Sequence, residues 1–303
     1  MKSSAMKTHS SRTDTWWALF FLGPWLVGFL VFTLGPMVAS LWFSVTRYTL
    51  PAAPVFVGFD NYVKLFIADP RFLSSLGVTF LYAAVTVPAA LILGFALAYF
   101  LNLKIPLARF WRTLYYMPAV VTPVITGTLF VGLFDPRHGL VNYLLAQAGV
   151  MGPDWLLDPR YAMYAVMLIS LWGVGGGMII YLAGLQSIST ELYEAAELDG
   201  ASRAHRLWTI TLPLMSSIIF YNLVVGIIGT FQLFTQVWVL TKGGPDNSTE
   251  VFNIYLYKTA FEYQNMGYAS AQAWVLFLLI LGLTALIFKS SSSWVYYENE
   301  VKG

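Results

Sequence analysis

The 303 residues are 58% hydrophobic, 17% aromatic and 11% charged. With a mean hydropathy of +0.66, that composition overrides the two soluble domains that length alone suggests and makes this a membrane protein. A net charge of +2 without a basic cluster gives no case for nucleic acid as a partner, the lack of cysteine excludes disulfides and thiolate metal sites, and His9, His138 and His205 are too far apart to suggest a metal cluster.

In chain order, residues 1–15, with Lys2, Lys7 and Arg12, read as a poorly ordered cytoplasmic tail. A first span follows at about 17–45, too long for a signal-peptide core and without a small-residue cleavage site. It is expected to start in the interface at Trp16 and Trp17 and to bend near Gly23-Pro24 and again at Gly35-Pro36. Residues 47–75 leave the membrane. There Tyr62, Leu65 and Phe66 recur at helical spacing, which predicts a short amphipathic helix that either lies on the outer surface or packs against the bundle.

The second span, about 76–101, contains Pro88. The loop at 103–112 carries Lys104, Arg109 and Arg112 with no acid, the clearest positive-inside signal in the chain. A third span at 113–134 holds Pro118 and Pro123, and an external segment at 135–160 carries a short helical piece near 140–148. The fourth span, 161–185, contains Trp172, Gly173 and three further glycines at 175–177. After a polar loop at 186–213 come a fifth span at 214–240, an external segment with a Gly-Gly-Pro turn, and a sixth span at 271–288.

The expected fold is therefore all-α, a single polytopic domain over 1–303 with six transmembrane helices. Both termini, the 103–112 loop and the 186–213 loop share one side, which holds ten of the Lys and Arg residues against seven on the other.

The 186–213 loop is far longer than a simple connection needs. Ala195 and Ala196, with no Gly or Pro from Glu191 to Asp199, favour a short helix with acids in its early turns, and Gly200 reads as its stop. A second helical piece is expected from Ser202 to about Thr211, running up to Pro213. Such a folded module at the membrane surface awaits a partner.

The six spans contain no Asp, Glu, Lys, Arg or His, which argues against a proton-coupled carrier, although carbonyls alone can bind sodium. No nucleotide-binding loop is present, so energy for uphill transport has to come from another chain. An intramembrane hydrolase would need a serine and a histidine converging at membrane depth, whereas Ser202 and His205 meet only in the polar loop, without an obvious carboxylate.

In the fifth span Asn222, Gly229, Gln232 and Gln236 follow spacings of seven, three and four, along one helical face. Two readings stand: hydrogen bonding between helices, or a lining of amides for a polar, uncharged substrate. Phe231, Phe234 and Trp238 could stack on apolar sugar faces or pack against lipid. The glycines at 173 and 175–177 permit close helix approach or a local break beside a cavity, with Trp172 next to them as an aromatic candidate for substrate contact.

Glu194-Ala195-Ala196, two residues, Asp199-Gly200-Ala201, eight residues, then Ile210, Leu212 and Pro213 resemble the EAA loop of binding-protein-dependent ABC importer permeases at every position. GMIIYLAGLQSISTELYEAA, VLTKGGPDNST, YLYKTAFEYQNMGYASA and GFDNYVKLF resemble the carbohydrate-uptake branch of that family. Within it, GFDNY and TKGGP are similar to the first permease partner, the maltose F-type or the sugar and glycerol-phosphate A-type subunit. The chain departs from the maltose protein in having six spans and no large external domain.

The resemblance implies that Glu194, Ala195, Ala196, Asp199, Gly200 and Ala201 make or shape contact with a cytoplasmic ATPase, and that Pro213 starts the return into the membrane. It implies a prokaryotic cell-membrane location with cytoplasmic termini, a second permease subunit, two ATPase subunits and an external sugar-binding protein. ATP and magnesium belong to the ATPase, and no cofactor, metal or catalytic residue is expected in this chain. The expected cargo is a neutral sugar, oligosaccharide or polyol, with Trp172, Asn222, Gln232, Phe234 and Gln236 as candidates along its path. The alternatives are an autonomous secondary carrier, or an importer of glycerol phosphate or peptide.

Overall fold

The computed structural model describes residues 12–103 and 105–296. Residues 1–11 of the expected tail, Lys104 of the basic loop and the charged end at 297–303 lie outside the described residues. The chain divides into two compact units, 1–64 with 259–274 and 65–258 with 275–303.

In the first unit, α1 (Arg12–Phe29) continues as helix through Pro24, and a π-helical turn, Leu30–Leu34, lies ahead of α2 (Gly35–Ser44). The cause is Pro36, whose ring crowds the carbonyl four residues back. In the widened turn the Gly35 N–H donates to the Leu30 carbonyl, five residues back.

Two short strands follow, β1 (Thr46–Arg47) and β2 (Val55–Phe56), antiparallel with Thr46 opposite Phe56. The next helix, α3 (Asp60–Val63), has only one turn before a π-helical turn at Lys64–Ala68. It packs inward: Asn61 Nδ2 donates to the carbonyls of Ser44 and Thr46 at 2.9 and 2.8 Å, and the Tyr62 hydroxyl donates to Ser44 Oγ at 2.8 Å. The Lys64 ammonium lies 4.7 Å from the centre of the Tyr268 ring.

The second unit begins at α4 (Pro70–Asn102), which starts six residues before the predicted second span because Asp69 caps it. The Asp69 carboxylate accepts from the N–H groups of Arg71 and Phe72 at 3.0 and 3.2 Å, and Pro70 occupies the first helical position.

The predicted third span is two helices, α5 (Ala108–Val120) and α6 (Pro123–Leu133), bent by 96°. Pro123 disfavours helical backbone at Thr122, which takes ψ 148°. After α7 (Leu140–Gln147), the fourth span is again a pair, α8 (Ala162–Trp172) and α9 (Gly175–Ser187), bent by 41° at Gly173-Val174.

The predicted loop holds α10 (Thr190–Leu198) and α11 (Arg203–Arg206), followed by a π-helical turn at Leu207–Thr211 and α12 (Leu212–Phe231). The second piece therefore does not end at Pro213, and one helical run continues from Arg203 to Phe231. The Leu212 N–H donates to the Leu207 carbonyl, five residues back, as Gly35 does ahead of Pro36.

The predicted fifth span ends early, because the chain leaves the helix at 232–234 before α13 (Thr235–Leu240). Last come α14 (Phe252–Tyr257), a π-helical turn at Lys258–Glu262, and α15 (Met266–Ser291), which crosses from the first unit into the second.

Among the described residues four stretches are long and apolar enough to cross a membrane, Phe20–Ser44, Pro70–Asn102, Arg203–Phe231 and Met266–Ser291, and each bent pair taken as one span brings the number to six. In the second unit α4 packs along α9 and α12. One apolar core gathers Met163, Val166 and Ile169 of α8 with Val237 and Leu240 of α13, and another gathers Ala98, Met178, Tyr181 and Met215.

Candidate functional site

Side chains cap the N-termini of both helices in the polar loop. Ser189 Oγ accepts from the Glu191 N–H at 3.3 Å, and Ser202 Oγ accepts from the His205 N–H at 3.2 Å, so the Ser202 hydroxyl serves as a cap. α10 closes on Gly200 at φ +79°, with the Gly200 N–H on the Glu197 carbonyl at 3.0 Å and the Ala201 N–H on that of Ala196 at 2.9 Å. This paired closure needs a left-handed residue after the cap, which glycine adopts without a Cβ clash.

No side chain of α10 is buried. Glu194, Ala195, Asp199 and Gly200 are exposed, and Ala196 and Ala201 are half-buried. Apolar groups also face outward on this polar segment: Leu198 is 90% exposed and Trp208 70%. Two side-chain contacts return from α10 to the following helix. Arg206 Nη1 lies 2.9 Å from Glu197 Oε2, and the Tyr193 hydroxyl lies 2.9 Å from Thr211 Oγ1. Between α10, α11 and the ends of α4 and α9 is a cavity of about 650 Å³, into which Glu194, Glu197, Arg203 and Arg206 face.

A second cavity, of about 270 Å³, lies between α4, the α8–α9 pair and α12. Its polar lining is Tyr82, Thr86, Ser170, Tyr181, Asn222 and Thr230, with no charged side chain among the described residues. Most of these groups bond locally. Tyr82 meets Ser170, Ser170 Oγ donates to the Val166 carbonyl at 2.8 Å, and Thr86 Oγ1 donates to the Tyr82 carbonyl at 2.7 Å. Asn222 Nδ2 donates to the Ile218 carbonyl at 2.9 Å. The Tyr181 hydroxyl is buried and has no hydrogen-bond partner among the described residues.

Of the residues predicted along the substrate path, Asn222 lines this cavity. α12 ends at Phe231, so the predicted helical face stops short of Gln232, which is exposed, and of Gln236. Gln236, on α13, donates from Nε2 to the Val166 carbonyl at 3.3 Å. Phe234 stacks on Trp238 at 5.6 Å and tilts against Tyr257 at 5.0 Å, and Trp172 packs edge-on against Phe130 at 5.3 Å. Tyr82, Thr86, Ser170 and Tyr181 were not singled out by sequence. A readable signal for the first two is the stripe Ser75, Thr79, Tyr82 and Thr86, buried along one face of α4.

The glycine readings separate by position. At Gly175 a Cβ would lie 2.0 Å from the Tyr115 carbonyl oxygen, so α9 and α5 meet backbone to backbone. Gly173 sits at the α8–α9 break, and a Cβ on Gly177 would face Asn222 Oδ1 at 3.5 Å beside the cavity.

Residues 86–296 match the family described as binding-protein-dependent transport system inner membrane component. A probable ABC transporter permease protein of Bacillus subtilis, YesP, is 40% identical over 299 residues, 97% of this chain and 96% of that protein. The sn-glycerol-3-phosphate transport system permease protein UgpA of Yersinia pestis is 32% identical over 94% of this chain and 97% of its own length. A chain of a bacterial alginate ABC transporter, solved in complex with an alginate pentasaccharide-bound periplasmic protein, superposes with a TM-score of 0.83 over 92% of this chain and 95% of that one, at 23% identity, a likeness of fold. On the family match and these relatives, the chain belongs to the inner membrane components of binding-protein-dependent transport systems, the permeases of ABC transporters.

Proposed function

We propose that this permease carries a neutral sugar, oligosaccharide or polyol inward, driven by two ATPase subunits that dock on the 186–213 loop. A second permease subunit completes the pathway, and an external binding protein delivers the cargo. Both termini then lie in the cytoplasm, on the side of the loop. The observation that carries the substrate class is the cavity among α4, α8, α9 and α12, lined by hydroxyls and an amide and, among the described residues, without a charge. Such a lining exchanges hydrogen bonds with sugar hydroxyls without the cost of burying an ion.

On this reading α10 and its flanking turns form the docking surface. Glu194, Asp199 and the small residues at 195, 196, 200 and 201 present polar anchors and room for close approach, and exposed Leu198 and Trp208 add apolar area. ATP binding closes the ATPase pair, the loop moves with it, and the helices bounding the cavity shift between inward- and outward-facing states.

The relative UgpA, named for sn-glycerol-3-phosphate, favours a second reading in which the cargo is anionic. Isolation of the tagged chain from its native membrane with associated subunits, followed by ATP hydrolysis and uptake assays in proteoliposomes with its binding protein, tests both. Stimulation by a panel of neutral sugars and not by glycerol 3-phosphate supports the first reading, and the reverse overturns it. Uptake by this chain alone, with no ATPase present, would make it an autonomous carrier.

A further inference from the structure

We propose that Tyr193 and Glu197 on α10, with Arg206 and Thr211 on the following helix, form a two-rung strut that makes the coupling loop and α12 move as one body. The inference rests on the reading of 186–213 as the ATPase dock and assigns positioning roles to four residues outside the EAA pattern.

The strut is built by a mismatch of periods. Tyr193 and Glu197 are four apart on an α-helix and share a face. Their partners Arg206 and Thr211 are five apart, which in an α-helix would turn them about 140° from one another. The π-helical turn at Leu207–Thr211 removes the discrepancy, since its bonds close on the fifth residue and bring positions five apart onto one side. Thr211 Oγ1, on a residue 1% exposed, donates to the Arg206 carbonyl at 3.3 Å and faces the Tyr193 hydroxyl at 2.9 Å. Arg206 turns its guanidinium to Glu197 at 2.9 Å. The two rungs therefore bracket the wide turn, Arg206 immediately before it and Thr211 at its end.

Among the described residues these are the side-chain hydrogen bonds that join α10 to the following helix. None of its side chains is buried, and a cavity of about 650 Å³ separates it from the ends of α4 and α9. Gly200 at φ +79° is a bare elbow between α10 and α11. A push on α10 without the rungs would bend the elbow; with them it reaches α12, whose Asn222, Gly226 and Thr230 line the intramembrane cavity.

The chain has no cysteine, so a pair introduced at Glu191→Cys, exposed on the first turn of α10, and Tyr221→Cys can be spin-labelled uniquely within this subunit. Distances are read in the isolated complex, in nanodiscs, without nucleotide and with ATP plus vanadate. The strut requires one α10–α12 distance in both states. Tyr193→Phe and Thr211→Val should each let that distance change with nucleotide, raising the decoupled fraction about fivefold. The double variant should do no more than Thr211→Val alone, since both substitutions remove the Tyr193–Thr211 bond. Glu197→Arg should likewise decouple, and the exchange Glu197→Arg with Arg206→Glu should restore the wild-type behaviour. If a hydroxyl variant fails to assemble, the charge exchange alone decides.

A wild-type distance that changes with nucleotide, or rung variants indistinguishable from wild type, overturns the strut while ATPase subunits still co-isolate. Failure of any ATPase subunit to co-isolate overturns instead the reading of the loop on which it rests.

Discussion

Glu250, 1% exposed at its side chain, takes both arms of Arg71, Nε at 2.6 Å and Nη2 at 2.7 Å. The Lys258 ammonium adds a third donor at 2.8 Å. The residues come from the start of α4, the loop after α13 and the end of α14, so one carboxylate ties three segments of the second unit together. The same loop contains the Gly-Gly-Pro turn, with Thr249 Oγ1 donating to the Gly244 carbonyl at 2.7 Å.

Burial raises the Glu250 pKa, but hydrogen bonds from Arg71 and Lys258 outweigh it and hold the carboxyl below its ordinary 4.5. A lowered folded value means that the stabilisation is present above the unfolded-state pKa and is lost as pH falls through the folded one. Glu250→Gln, which leaves two cations facing a neutral amide, should lower stability by about 3 kcal/mol near neutral pH. Thermal unfolding of the detergent-solubilised complex should show the gap between wild type and variant closing below about pH 4.5. A gap unchanged down to about pH 3 would refute the assignment.

At Gly175 the Tyr115 carbonyl oxygen stands 2.0 Å from the position a Cβ would take, and backbone cannot swing aside as a side-chain tip can. Gly175→Ala should force α5 from α9 at a cost of about 3 kcal/mol. Gly229, also inside a helix, has nothing within 4 Å of its Cβ position. Gly229→Ala should be neutral or slightly stabilising, because alanine is the better helix former. Equal unfolding temperatures for the two variants would contradict the backbone-to-backbone crossing.

Gly200 also has open space around its Cβ position, but its φ of +79° is the obstacle. A β-branched residue in left-handed backbone costs about 1–2 kcal/mol. Gly200→Val should therefore leave the protein in the membrane and misdirect the elbow between α10 and α11, abolishing substrate-stimulated ATP hydrolysis in the reconstituted complex. Gly200→Asn, which accepts this backbone more readily, should retain most of it. ATP hydrolysis by Gly200→Val at the wild-type rate would remove the turn from the coupling mechanism.

The polar loop was legible because charged residues interrupt apolar sequence there, and the caps at Ser189, Ser202 and Gly200 are local chemistry. The start of α4 is equally written in Asp69-Pro70, an N-cap followed by a first-turn proline, which lies ahead of the apolar run that defines the span. The broken spans were hidden for a different reason: hydrophobicity runs straight through them. Thr122-Pro123 carried a local signal, whereas the break at 232–234 has neither glycine nor proline. What accompanies that break is tertiary contact, Gln236 to the Val166 carbonyl and Phe234 against Trp238 and Tyr257. The intramembrane cavity was only partly visible, through Asn222, because the face each helix presents is decided by its neighbours.

Tyr181 is the test of that cavity. Its hydroxyl is buried without a partner among the described residues, between an aromatic contact with Phe95 at 5.8 Å and the polar lining around Asn222. An unsatisfied buried hydroxyl costs about 1–3 kcal/mol, so a residue kept only for packing would be better as phenylalanine. Tyr181→Phe should leave the unfolding temperature of the complex unchanged or raise it. If the hydroxyl instead meets sugar hydroxyls in passage, the same variant should lose uptake about five- to tenfold at unchanged basal ATP hydrolysis, because the lost hydrogen bond is made only while substrate occupies the cavity. Uptake and stability both at wild-type levels would remove Tyr181 from the path, and the sugar would have to cross elsewhere.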